Sequence, residues 1–502
     1  MQQRKAFEIC CLGWLCYLGL GIWNFPADAA TREPIRLHPD NPHYFLWRGK
    51  PTVLITSGEH YGAVLNLDFD YKKYLDALAK DKLNLTRTFA GGAYVEPQGA
   101  FNIARNTLAP APNRYITPWA RTDVPGYAGG GNKFDLARWN EDYFRRLRDF
   151  VRYSGKRAVV VELNLFCPMY DEAQWKLSPF NVANNINGLG EIARTNVYTL
   201  DQHGGLLSVQ ERMTRRIVME LREFDNVYYE ICNEPYFGGV TIAWQDHVAD
   251  VIADAQKKLR APRYAGGGQL ISQNIANQQA IVVNPHPAVS IFNFHYAAPP
   301  DTVGMNFHLN KVIGDNETGF RGTNDAPYRM EGWDFLIAGG ALFNNLDYSF
   351  TVGHEDGAFV YPASQPGGGN PTFRRQIRVL RDFLYGLDFV RMKPDNSVIK
   401  GGVPTNMTAR ALVQRGKQYA IYLRPSESRN ERPVPVQKHD GAVVFGVELP
   451  AGFYQAKWLD PKLGTVEKTE KFKHNDGVRQ MSAPNFSEDI ALRIKAVTRE
   501  SQ

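Results

Sequence analysis

Asn226-Val-Tyr-Tyr-Glu-Ile-Cys-Asn-Glu-Pro235 is a run of apolar, aromatic and β-branched residues that stops at a proline. Proline has no N–H to give a sheet ladder, so the run reads as a buried strand with the polar pair Asn233-Glu234 at its end. A carboxylate beside an amide at the end of a buried strand is what a general acid/base on a parallel barrel looks like. Taken alone, Asn-Glu-Pro is equally a strand ending in a turn, and the decision rests on the chain around it.

Outward from this run, strands and helices alternate. Strands are predicted over 52–56, 83–89, 157–166, 270–274, 290–296, 311–317 and 345–350, and helices over 70–80, 135–153, 209–224, 244–259, 333–342 and 373–385. Such alternation argues for a parallel sheet. Glu317 lies 83 residues after Glu234, three strand-to-strand steps of about 28 residues, near the roughly 30 of a βαβ unit. Eight units close a barrel. The alternative, a doubly wound open sheet, lacks a Gly-rich phosphate loop after any strand. Residues 91–133 and 167–202 form long loops without periodicity, a length that usually carries function. Glu96, Trp119 and Tyr127 lie in the first and Trp175 in the second. Past residue 390 the pattern changes to short strands with turns at 450–452 and 460–464. The expected fold class is therefore α/β, a (β/α)8 TIM barrel followed by a small all-β sandwich domain. Its parts are a signal peptide over 1–29, a barrel with an N-terminal hairpin over 30–390, and the β domain over 404–498.

Composition fits a soluble globular protein of 502 residues, 43% hydrophobic and 22% charged. The net charge of +6 is spread along the chain without a Lys/Arg block, which argues against a nucleic-acid surface. Arg4 and Lys5, the apolar stretch 9–25 and Ala27-Asp28-Ala29 have the order of a secretory signal. Export to the medium or a periplasm follows, with no membrane association after cleavage. Cys10, Cys11 and Cys16 leave with that segment, so Cys167 and Cys232 remain. Two cysteines do not make a disulfide scaffold, but they end neighbouring strands, and a bond between them is left open.

Polar residues collect at the expected strand ends: Glu59 and His60, Arg87, Asn164, Asn233 and Glu234, His295 and Tyr296, and Glu317. Barrel active sites sit at that face. Glu234 and Glu317, on strands four and seven, can flank one scissile bond across the mouth. This layout resembles clan A of the retaining glycoside hydrolases, the cellulase-like barrels, over roughly residues 50–350. Asn233-Glu234, Glu317, Asn84-x-x-Arg87 and His295 with Tyr296 match that pattern in order. The resemblance implies Glu317 as nucleophile, Glu234 as acid/base and Asn233 on the sugar 2-hydroxyl. Arg87 and a tyrosine hydroxyl would keep Glu317 ionised, while Glu234 would hold its proton longer. It implies a carbohydrate substrate, no cofactor and no metal; it leaves the sugar, the linkage and the oligomeric state open. Two departures stand out. His295 and Tyr296 are adjacent, where many such enzymes separate them by one residue. Strand eight carries Tyr348 and no tryptophan, so Trp119 or Trp175 is expected to supply the sugar platform.

Bland readings compete. Glu162 and Glu230, inside strands, read as buried paired acids, and Asp315 and Asp347 as supporting or capping residues. Asn316-Glu-Thr318 matches a glycosylation sequon by coincidence. His60 is a sugar contact or a satisfied rim histidine. A non-catalytic carbohydrate-binding barrel is one rival function. A metal hydrolase using His60, His203, His295 or His354 is another, without any His-x-His spacing to support it.

Overall fold

The computed structural model describes residues 33–258, 267–426 and 443–498; the expected signal segment lies outside the described residues. Eight parallel strands make one sheet: Leu54–Gly58, Leu85–Phe89, Val160–Phe166, Val227–Cys232, Ile271–Asn277, Ile291–His295, Val312–Thr318 and Leu342–Leu346. We number them one to eight. They lie in the order one-eight-seven-six-five-four-three-two, and Asn84 joins the two ends. Its N–H donates to Ile55 O and its Oδ1 accepts from Ile55 N, at 3.2 and 2.8 Å. All but strand five are buried along their whole length, because helices cover the outside and side chains fill the inside. Register is regular along most of each pair. It shifts near the carboxyl ends of strands five, six and seven, and such bulges re-aim the side chains that follow.

The opposite end of the barrel is capped. Arg36–His38, Asn41–Trp47 and Lys50–Thr52 form a three-stranded sheet, as the expected hairpin required. Arg48 and Gly49, both at positive φ, make its turn. Arg48 then pairs with Asp225 at 2.6 Å, just before strand four, and Ile35 N–H donates to Asp225 O. The carboxyl-end mouth is left for function.

Two boundaries differ from expectation. Residues 132–139 are strand, not the start of a helix. They pair with Trp119–Pro125 in an antiparallel ribbon inside the first long loop. The helix is Glu141–Lys156 and starts after Asn140, whose side chain caps Asp142 N–H. The aromatics that suggested an earlier start belong to both elements. Strand eight is Leu342–Leu346, not 345–350, and the preceding helix is Asp325–Ile337. Gly339, at φ +101°, and Gly340 end that helix, and the strand begins two residues later.

The β domain has a six-stranded sheet in the order Lys393–Pro394, Met407–Gln414, Gln418–Pro425, Ile490–Ala496, Gly452–Leu459, Val466–His474. Val444–Leu449 and Gly477–Ser482 form a two-stranded ribbon over it. Phe445, Trp458, Ile421 and Leu492 fill the space between. Its docking to the barrel runs through helix Asp325–Ile337. Trp333 stacks on Tyr422 with ring centroids 5.4 Å apart, Arg329 pairs with Asp489 at 2.7 Å and with Glu488, and Asp334 accepts from Arg424 at 2.8 Å. Among the described residues no helix is long and apolar enough to cross a membrane.

Candidate active site

The deepest layer of the mouth is a buried charge network. Arg87, on strand two, forks onto Glu230 of strand four at 2.6 and 3.0 Å. Its Nη2 also donates to Asn233 Oδ1 at 2.6 Å, and its Nη1 to Glu317 Oε2 at 3.2 Å. The guanidinium is fully buried, and the flanking acids hold its pKa well above the usual value despite that burial. Glu162 accepts from Asn293 and Asn316 at 2.7 and 3.1 Å. Burial and the neighbouring Glu230 push its carboxyl up. Glu162 and Glu230 thus brace Arg87 from below, as buried paired acids. Asn316 is fully buried with its amide on both acids, so its place in a sequon is incidental. Asp347 accepts from Ser57 and Arg374 and supports strand one from behind.

On this base sit the two glutamates. Glu317 receives Tyr61 OH on Oε2 at 2.9 Å and Tyr296 OH on Oε1 at 2.6 Å. Burial drives both phenol pKa values far up, so they remain neutral hydroxyls that donate to Glu317. Glu234 receives Tyr170 OH on Oε2 at 2.7 Å, and His295 Nδ1 lies 3.0 Å from its Oε1. His295 Nδ1 is also 3.6 Å from Glu317. Burial pushes the Glu234 carboxyl up, but the hydrogen bonds from His295 and Tyr170 and the charges of His295 and Arg87 outweigh it. Its pKa stands below the ordinary range. Against the expectation that Glu234 holds its proton longer, two donors, Tyr170 and His295, converge on its carboxyl.

Adjacent residues of a regular strand point to opposite faces, yet three adjacent pairs here both face the mouth. The second member of each is left-handed: Tyr61 (φ +60°), Glu234 (+38°) and Tyr296 (+55°). This backbone, costly for residues with a Cβ, recurs at active sites. It resolves the adjacency of His295 and Tyr296: the histidine serves Glu234 and the tyrosine serves Glu317.

Above the glutamates opens a cavity of about 670 Å³, lined by His60, Arg87's partners Asn233 and Glu317, Glu234 and Tyr296 among others. His60 Nδ1 lies 3.0 Å from Asn106 Oδ1. Trp119 and Trp175 do not line it. Trp119 is fully buried, donates its indole N–H to Gly92 O at 2.8 Å and stacks on Trp139; Trp175 is 6% exposed and packs in the core. Phe101, Phe237 and Phe320 line the cavity instead and are 41–44% exposed. Nothing in their local sequence marks these phenylalanines. Glu96 and Tyr94, also in the lining, sit in a loop whose function was legible only from its length. Cys167 and Cys232 are both free thiols.

A metal reading meets one cluster among the described residues. Glu234, His295 and Glu317 offer ligand atoms within 4.8 Å of one another. Arg87 already pairs with Glu317 at 3.2 Å, and tyrosine hydroxyls donate to both carboxylates. His60, His203 and His354 are not in the cluster.

No family model matches the chain, and no curated protein matches it in sequence. Among solved structures it is similar to one described as a glycoside hydrolase, with a TM-score of 0.61 and 13% identity over 92% of this chain and 97% of that one. It is also similar to a glycoside hydrolase family 5 protein from Bacteroides vulgatus ATCC 8482, with a TM-score of 0.60 and 13% identity over 93% and 95%. At such identity the likeness establishes a shared fold, which spans nearly the whole of each chain.

Proposed function

We propose that the protein is an exported glycoside hydrolase that cleaves O-glycosidic bonds of an oligo- or polysaccharide with retention of configuration. The observation that carries this reading is the carboxylate pair itself. Glu234 and Glu317 end strands three steps apart, nearly opposite across the mouth, with oxygens within 4.8 Å. Retaining enzymes hold their carboxyl groups about 5–5.5 Å apart, and inverting ones need roughly 6.5–9.5 Å to admit water. The two similar folds, each described as a glycoside hydrolase, agree with it. Export rests on residues 1–29.

In this reading Glu317, oriented by Arg87, Tyr61 and Tyr296, attacks the anomeric carbon. Glu234 protonates the leaving oxygen and then takes a proton from the water that releases the sugar. Asn233, anchored by Arg87 and Tyr170, presents its amide to the bound ring. The test is proton NMR of the first product from an aryl glycoside. The anomer of the substrate should form first; the opposite anomer excludes double displacement. A carbohydrate-binding barrel without catalysis would give no product at all.

A further inference from the structure

We infer that the glycone side of the cavity accepts a single terminal sugar ring, so that the protein trims glycans from the non-reducing end. This deepens the hydrolase reading and rests on it.

The inference starts from Phe101. Its ring meets Tyr170, after strand three, at 5.7 Å, and Phe320, after strand seven, at 6.3 Å, edge-on in both cases. These contacts draw a chord across the mouth. Behind it lie the ends of strands eight, one and two; in front lie those of four, five and six. The segment that carries Phe101, after strand two, is anchored to the loop after strand eight. Asn102 Nδ2 donates to Ser364 O, and Ala104 N–H to the buried Gln365 side chain, both at 3.0 Å. Phe101 and Phe320 also take left-handed backbone, at +53° and +58°, a cost that the surrounding structure must hold in place.

The two sides of the chord differ. Behind it the lining residues are His60, Tyr94, Glu96 and Leu108, none more than 8% exposed. Tyr94 OH donates to Glu96 at 2.8 Å, and Asn106 bridges Glu96 to His60. This is a walled polar pocket whose carboxylate and imidazole suit the hydroxyls that only a chain terminus leaves free. In front of it the mouth is open: Tyr236 and Phe237 are 37% and 44% exposed. The acid/base protonates the leaving oxygen, so the leaving chain lies on the side of Glu234, at strand four, where the mouth is open. The ring bound to Glu317 lies toward the wall. A chain that runs on past that ring would collide with Phe101 and its anchors.

The test uses the purified full chain. A panel of nitrophenyl α- and β-glycosides identifies the sugar. The matching pentasaccharide is then compared with one whose terminal non-reducing hydroxyls are tied in a cyclic acetal. Monosaccharide should be the first product, and blocking should slow cleavage by roughly 100-fold or more, as expected when a site built to bind hydroxyls loses them. Cleavage of the blocked chain at internal bonds at a similar rate, or release of a di- or trisaccharide first, overturns the inference while leaving the hydrolase reading intact. If neither chain nor any nitrophenyl glycoside is hydrolysed, that reading falls and the inference with it.

Discussion

Tyr170 is the residue whose loss reports most directly on the acid/base. Its hydroxyl donates to Glu234 and accepts from Asn233. Tyr170→Phe removes one donor from the charged carboxylate, so the Glu234 pKa should rise. Because Glu234 must be protonated to act as acid, the basic limb of the kcat/KM profile should move to higher pH; a limb that stays put or falls contradicts the assignment. Removing the carboxyl, as Glu234→Ala, should cost about 10²–10⁴ in rate on glycosides with poor leaving groups, and far less on activated aryl glycosides in the first step. Glu59 offers a prediction about stability. It is fully buried, and burial pushes its carboxyl up to about 7 against three hydrogen-bond donors. Between the unfolded value of 4.5 and about 7 the folded state keeps a proton that the unfolded state has lost. Stability should therefore fall as pH rises through this window, by about 3 kcal/mol at most. Urea unfolding at several pH values checks it, and Glu59→Gln should flatten the slope whatever it does to the absolute stability.

The helix Asp325–Ile337 is buried on nearly every face, because it packs on the barrel with one side and on the β domain with the other. Arg329 is its anchor, fully buried with Asp489 and Glu488. Arg329→Ala should destabilise the protein by about 3–5 kcal/mol, since it leaves the buried Asp489 without a cation; a shift of the urea midpoint near zero would show the pair to be dispensable. Elements of this kind were only partly legible in the sequence. Strands buried on both faces, such as Val160–Phe166, announce themselves as apolar runs. The Leu342–Leu346 strand was shifted because two glycines hid where its helix ended. Val466–His474 and Gly477–Ser482 carry no legible period: apart from buried Met481 their residues are exposed or half-buried, so few apolar side chains mark a strand. Site residues at strand ends were legible for the same reason as the strands. Phe101, Tyr94 and Tyr170 are not, because loops that cross the mouth place them there and no periodicity encodes such a crossing; Glu96 is marked only by the length of its loop.

At the scale of the whole molecule, one end of the barrel is sealed by the N-terminal hairpin and one flank by the β domain, leaving open the mouth where Arg87, Glu234 and Glu317 are gathered. Removing the β domain from about residue 404 should yield insoluble protein, because Trp333 and its neighbours would be exposed as an apolar patch; a soluble, fully active barrel would mean that the domain only accompanies it. Alkylation of unreduced, denatured protein should label both Cys167 and Cys232, as two free thiols require; a peptide pair linked through them would reveal a disulfide. The central claim is that Glu317 forms a covalent bond to the sugar while Glu234 moves the proton. The most direct measurement is to inactivate the enzyme with a fluorosugar matched to its preferred glycoside and to locate the label by peptide mass spectrometry. The label should be found on Glu317; a label on any other residue, or time-dependent labelling undiminished in Glu317→Ala, would contradict the account.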